Sequence, residues 1–265
     1  MTTADAINKR VSQRAFLDKK LDKKAEEALR KLVAECNKRS GLDIQLICGD
    51  PKPFANKLKT LGRFSNVSNY LAMIGSEDDH SRREKVGWFG EYLVLEALKM
   101  GISSCWVAGT YSPSKAACVL YEDQVLECVI ALGYAAEEDT KVNAAFNKVL
   151  SMKNKISNSS KALEDFYTTD KKRLPLWFTR GIEAVSKAPS AMNRQPAFFE
   201  YVDDKVTVSV PRDHETDMID LGIAKLHFML GADNGSWKNG NKAEYVINRR
   251  GSAQIDGDSS EGELI

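Results

Sequence analysis

Near the start of the chain, Arg10, Ser12 and Arg14 alternate within Lys9-Arg10-Val11-Ser12-Gln13-Arg14-Ala15-Phe16. Alternate residues of an extended segment share one side. Two guanidinium forks and a hydroxyl on one side suit a phosphate dianion. They suit a solvated basic entry to a helix as well. A second stretch, Ala188-Pro189-Ser190-Ala191-Met192-Asn193-Arg194-Gln195-Pro196, offers hydroxyl and amide groups instead of charge. Pro189 disfavours helix at Ala188, so the chain turns there. Ser190, Asn193 and Gln195 then set short polar groups and backbone donors around one corner. Such a corner can grip the edge of a flat polar heterocycle, and the same residue types also make an ordinary helix-to-strand connection.

The elements that must position these segments read as follows. Asp22 is a fair N-cap for a helix reaching about Lys38, with Ala25, Ala28, Leu29, Leu32, Val33 and Cys36 at helical spacing. Leu42 to Cys48 and Tyr70 to Ile74 read as strands, with Arg63 upstream of the second on the surface. Val86 to Met100 predicts a helix apolar around most of its circumference, hence central, and Gly101 stops it. Ile102 to Gly109 predicts a buried strand running into a small residue that permits close backbone approach. A short helix over Ser114–Leu120 and a strand over Val125–Leu132 follow. Asn143 to Thr169 is polar, with Asn154 to Ser160 the plainest linker. Lys171-Lys172-Arg173-Leu174-Pro175 is a charge cluster that fits a solvated loop. A helical run, Trp177 to Lys187, enters the corner, and a hairpin over Ala197–Val210 leaves it, turning at Asp203-Asp204. Met218 to Gly231 is an apolar helix and Tyr245 to Ile247 a short strand. The acidic, glycine- and serine-rich segment 251–265 predicts disorder.

The bulk numbers exclude more than they select. The 265 residues carry 43% hydrophobic and 28% charged side chains and a formal net charge of +1, so a soluble globular protein without a global field for nucleic acid is expected. No apolar run approaches the roughly 20 residues of a membrane helix, and no secretory leader is visible in Met1–Ile7. Five cysteines, an odd number without a C-x-x-C pair, fit reduced thiols in the cytoplasm. The three histidines are too scattered for a metal site, and Met218 stands where a zincin beginning at His214 would need its second histidine. Neither a P-loop nor a G-x-G-x-x-G turn occurs.

The arginine segment and the proline corner together resemble the paired flavin-binding signatures of the nitroreductase family, R-x-S-x-R and A-P-S-x-x-N-x-Q-P. Gly101 to Gly109 is similar to that family's L-G-L-G-S-C-W-x-G-G stretch, and Ala131-Leu132-Gly133-Tyr134 to its A-x-G-Y. The resemblance spans about Ile7 to Gly231. It implies an α+β protein of the nitroreductase-like fold, with a central, mostly antiparallel sheet flanked by helices, binding FMN. Arg10, Ser12 and Arg14, with Lys171 and Arg173 as a K-x-R pair, would hold the phosphate. Arg63 would reach the flavin. Pro189, Ser190, Asn193 and Gln195 would form the corner at the ring edge, and backbone at Ala108 and Gly109 would face the reactive nitrogen. NADH or NADPH would supply electrons to a nitro, quinone or similar small acceptor. No catalytic side chain and no metal ligand is assigned, and a non-catalytic flavin carrier or sensor is the alternative.

A weak internal repeat pairs Gly90-Glu91-Tyr92-Leu93-Val94-Leu95-Glu96-Ala97-Leu98 with Gly222-Ile223-Ala224-Lys225-Leu226-His227-Phe228-Met229-Leu230. The expected organisation is a first nitroreductase-like half over 1–150, a linker over 151–170, a truncated second half over 171–250 and the tail over 251–265. Only the first half has R-x-S-x-R, and only the second has the proline corner. The chain therefore resembles fused, tandem-type nitroreductases, in which one chain mimics the family's homodimer. A monomer acting as a pseudo-dimer follows, with neither nucleic acid nor membrane as a partner.

Overall fold

Apolar patterning places most of the elements, and the glycines decide how closely they pack. The computed structural model of the protein describes residues 1–136 and 161–248, together with the backbone of Glu263–Leu264. Its contacts divide the chain into two units that interleave in sequence. Arg10–Asp79 and Leu93–Ser160 make one, the arginine unit; Met1–Lys9, His80–Tyr92 and Lys161–Ile265 make the other, the corner unit.

In the arginine unit, α2 (Lys23–Ser40) ends on Gly41, whose φ of 72° is the left-handed cap that glycine favours. Asp22 precedes it, but its carboxylate accepts a bond from the Tyr134 hydroxyl at 2.8 Å and caps no helix amide. Strands β1 (Gln45–Cys48), β2 (Asn69–Ser76), β3 (Ser103–Val107) and β4 (Gln124–Gly133) form an antiparallel sheet in the order β1-β2-β4-β3. β2 is buried from Asn69 through Gly75, which explains its continuous apolar run. The helix expected over Ser114–Leu120 is only a 3-10 turn at Pro113–Lys115. Side chains of the sheet take the amides it would need: Ala117 N–H donates to the Tyr70 hydroxyl at 2.9 Å, and Val119 N–H to Gln45 Oε1 at 2.9 Å.

In the corner unit, a helix unforeseen from the sequence, α1 (Thr3–Lys9), buries Ala6 and Ile7. The long helix α3 (Arg82–Lys99) belongs to this unit through Tyr92. Helices α4 (Leu176–Ser186) and α5 (Asp217–Ala232) pack on each other, with α5 almost wholly buried. A Cβ on Gly87 would collide with the Ile219 carbonyl, and one on Gly222 with the Glu84 carbonyl, so α3 and α5 cross with reciprocal backbone contact. Beside the crossing, the Lys225 ammonium is fully buried on Glu84 and on the carbonyls of Lys238 and Gly240, at 2.9 and 2.8 Å. Three acceptors satisfy its three protons. His227, also fully buried, joins Glu91 Oε1 and the Ala184 carbonyl, each at 3.0 Å.

The sheet here comprises β5 (Tyr167–Thr169), β6 (Phe198–Val202), β7 (Lys205–Ser209), β8 (Gly235–Lys238), β9 (Ala243–Ile247) and β10 (Glu263–Leu264), ordered β10-β8-β9-β7-β6-β5. Only β5–β6 is parallel. The mostly antiparallel pairing expected from the sequence is realised in two sheets among the described residues. The short strands β5 and β8, rich in Thr, Gly and Ser, gave no period to read and extend the hairpin into a sheet of its own. Of the expected linker, 151–160 lies outside the described residues, whereas Leu163–Phe166 form a 3-10 turn with Phe166 buried. The expected tail lies outside them too, apart from β10. Among the described residues no helix is long and apolar enough to cross a membrane.

Candidate functional site

Backbone pairing holds the arginine segment extended. Ser12 bridges Ser104 of β3, Ala15 bridges Ser65, and Phe16 bridges Ala135. Gln13 N–H donates to the Ser104 carbonyl at 2.8 Å, and Ser65 N–H to the Arg14 carbonyl at 3.0 Å. Val11 is exposed, and Arg10, Ser12, Gln13 and Arg14 are all half-buried. Arg10, Ser12 and Arg14 all bear on the thiol of Cys105. Burial pushes that thiol up, and both guanidiniums and a hydrogen bond with Ser12 oppose the rise. Arg14 is itself held below its ordinary value, first by burial and further by the like charge of Arg63. Three arginines and a serine hydroxyl thus share one partly buried patch, where their mutual repulsion would be relieved by an anion. Arg63, placed on the surface by the sequence, is half-buried and close enough for its charge to act on Arg14. Cys105 was missed as a member, because a buried cysteine in an apolar strand carries no signal of its neighbours.

β3 leads from this patch to Ala108 and Gly109, both exposed just past its end. Four residues from Ser104 to Ala108 span on the order of 13 Å. A Cβ on Gly109 would meet nothing within 4 Å, so the backbone there is open to an approaching group.

The corner unit brings Pro189, Ser190, Asn193 and Gln195 together at the end of α4. Met192, Asn193 and Gln195 all have left-handed backbones, with φ of 53°, 55° and 48°. Such a conformation costs a residue with a side chain roughly 1–2 kcal/mol, so the surroundings must impose it. Ser190 Oγ accepts the Gln195 N–H at 2.8 Å, and Gln195 Nε2 donates to the Ser186 carbonyl at 3.1 Å. Both side chains are therefore partly engaged in shaping the turn. Asn193 is exposed. Lys161 Nζ donates to the Gln195 carbonyl at 3.2 Å, and burial lowers its pKa. Behind the corner, Ala191 N–H meets Asp220 Oδ1 and Oδ2 at 3.1 and 3.3 Å, and Arg194 Nη2 meets Asp217 Oδ1 at 2.6 Å. Burial raises the Asp220 carboxyl to about 7, against the Ala191 bond and Arg194. Burial also opposes ionisation of Asp217, but Arg194 and the His214 backbone outweigh it and hold its pKa low. The one sequence sign of this pair was two acids, three residues apart, opening an otherwise apolar helix.

Lys171 and Arg173 do not join the corner. Thr169 pairs with Tyr201, so the chain beyond it runs along the far end of β6 from the corner. Lys171 Nζ lies 2.8 Å from Asp204 and 3.7 Å from Asp170, and Arg173 is exposed.

The α+β architecture, with two mostly antiparallel sheets and glycine-tight helices, is that of the nitroreductase fold. A family model described as "Putative TM nitroreductase" matches residues 2–232, and the chain belongs to that family. The crystal structure described as a "putative nitroreductase" from Thermotoga maritima MSB8 matches at a TM-score of 0.60 and 21% identity, over 92% of each chain. A nitroreductase with bound FMN from Bacteroides fragilis matches at 0.43 and 15%, over 53% of this chain and 91% of its own. A variant of the FMN- and NADPH-dependent nitroreductase NfnB from Sphigopyxis sp. strain HMH matches at 0.42 and 17%, over 54% and 92%. No curated protein matches the chain.

Proposed function

We propose that this oxidoreductase-family chain binds FMN and uses it to pass electrons from NAD(P)H to a nitro compound, quinone or similar small oxidised molecule. The grouping of Arg10, Ser12, Arg14 and Arg63 near the start of β3 carries the reading, because this set suits a phosphate monoester in charge and donor type. Arg10 and Arg14 hold the phosphate, Ser12 donates to it, and Arg63 adds charge. Lys171 and Arg173 are the weaker candidates for that task. Ser190 and Asn193 offer donors and acceptors for a ring edge, with Pro189 and Gln195 setting the turn. Backbone at Ala108 and Gly109 leaves room for a ring face. The chemistry such a flavin supplies when bound is two-electron transfer in two steps, from the nicotinamide and then to the acceptor.

One arginine segment and one proline corner per chain support one flavin per chain, and hence a monomer that does not need a second copy. The reduced thiols support a cytoplasmic setting. Titration of the purified protein with FMN, followed by anaerobic NADH or NADPH, tests the reading. Flavin quenching with sub-micromolar affinity and bleaching by one nicotinamide are expected. Absence of binding at tens of micromolar overturns it, and bound flavin that neither nicotinamide bleaches marks a carrier or sensor.

A further inference from the structure

We propose that Asp217 and Asp220, on the first turn of α5, are the positioning residues of the proline corner. They hold Ser190 and Asn193 in the conformation that meets the flavin. The inference rests on the flavin reading above and adds residues that neither signature motif contains.

Three observations carry it. The corner is strained at Met192, Asn193 and Gln195, and strain of this kind persists only where other groups impose it. The two acids sit on one helix face, three residues apart, at 0% and 4% exposure. Buried carboxylates are retained only where they are bonded, and the bonds of these two run into the corner. Asp220 takes the Ala191 N–H through both oxygens, and Asp217 takes Arg194 at 2.6 Å, with Asp220 Oδ2 3.6 Å from the same guanidinium. The clamp therefore grips the corner on both sides of Met192 and Asn193. Asp220 also lines the small cavity beneath Pro189 and Ser190.

The groups bearing on Asp220 are few. Thr216 Oγ1 lies 3.4 Å away, and Arg194 and Asp217 are the charges acting on it. Asp213 and His214 reach the clamp through their amides on Asp217 and, for His214, through Thr216. α1, α3, α4, β7 and β8 also pack on α5: Asp5, Lys9, Arg180, Glu183, Lys205 and Lys238 are exposed, and Glu84 and Glu91 of α3 bond to Lys225 and His227. Asp220 has its pKa raised to about 7 by burial, so the clamp tightens as the carboxyl ionises near neutral pH. The sign for folding is opposite. A carboxyl whose folded pKa is raised favours the folded state most at low pH, and that contribution is lost as pH rises toward 7. Flavin affinity and stability therefore respond to pH in opposite directions, which a merely structural role would not produce.

The experiment measures riboflavin and FMN dissociation constants from about pH 6 to about pH 8.5 for the wild type and Asp220→Asn, with amide exchange over residues 189–196 in both. Riboflavin is included because it has no phosphate titrating near 6. The wild type is expected to bind riboflavin roughly two- to tenfold tighter at the upper end, the worth of one hydrogen bond. Asp220→Asn, which keeps an oxygen for Ala191 N–H, is expected to show a flat profile and faster exchange across the corner. Wild-type affinity, slope and protection in the folded variant overturn the proposal. If the wild type binds no flavin, the flavin reading fails, and the exchange comparison still decides whether the acids position the corner.

Discussion

The arginine segment and the proline corner are held by opposite means. Residues 12–16 lie in relaxed extended backbone, stitched by amides to β3, to Ser65 and to Ala135. Residues 190–195 include three left-handed residues, held by side chains from α5 and from the corner itself. Backbone stitching fixes the main chain of the segment through its amides and brings the like charges of Arg14 and Arg63 within reach of each other. Side-chain clamping spends most of the corner's polar groups on its own shape and leaves Asn193 at the surface. In the proposed function the first segment would supply affinity and the second orientation.

That contrast is broken most directly at Arg14. Arg14→Ala is expected to weaken FMN roughly 10- to 150-fold, the range for one charged hydrogen bond, and to leave riboflavin binding unchanged. Isothermal titration or fluorescence quenching with both ligands measures it. An equal loss for riboflavin would show that Arg14 shapes the pocket instead of meeting a phosphate.

The same contrast explains what the sequence could tell. The extended segment that carries Arg10, Ser12 and Arg14 was legible because the period of extended backbone is local to the sequence. β6 and its hairpin partner were legible for the same reason: β6 spans Phe198–Val202 and β7 Lys205–Ser209, around the turn expected at Asp203-Asp204. The corner was legible only as a motif. Its strain and its clamp depend on Asp217 and Asp220, more than twenty residues away, and nothing local in Ala191-Met192-Asn193 announces them. β5 and β8 were missed because strands of three and four residues with Thr, Gly and Ser have no readable period. The 3-10 turn at Pro113–Lys115 was read as a helix because the competing acceptors, Tyr70 and Gln45, come from other strands.

Asn193→Ala sharpens the comparison at the corner. A loss of roughly two- to tenfold is expected, the worth of one neutral hydrogen bond, and it should be the same for FMN and riboflavin. The complementary motifs add a second readout. With one arginine segment and one corner per chain serving one flavin, an equimolar mixture of Arg14→Ala and Asn193→Ala proteins regains no tight sites. Recovery on mixing, or two flavins per chain by titration, would show sites shared between chains.

The smallest effect is expected at Lys171, a cation of the phosphate reading that is paired with carboxylates of its own loop and hairpin. Its ammonium lies 2.8 Å from Asp204, whose side chain is 84% exposed, and 3.7 Å from Asp170. The Asp204 contact raises its pKa, so it is a cation at any ordinary pH. A solvent-exposed pair of this kind contributes little. To meet a phosphate, Lys171 must give up that pair, and the gain is offset by the loss. Lys171→Ala is therefore expected to change the FMN dissociation constant less than about threefold, within the span of an exposed pair, and the effect should shrink further in salt. The measurement is FMN titration of Lys171→Ala beside Arg14→Ala at low and high ionic strength. A loss matching that of Arg14→Ala would place Lys171 on the phosphate and show that the Asp204 pair is given up when flavin binds.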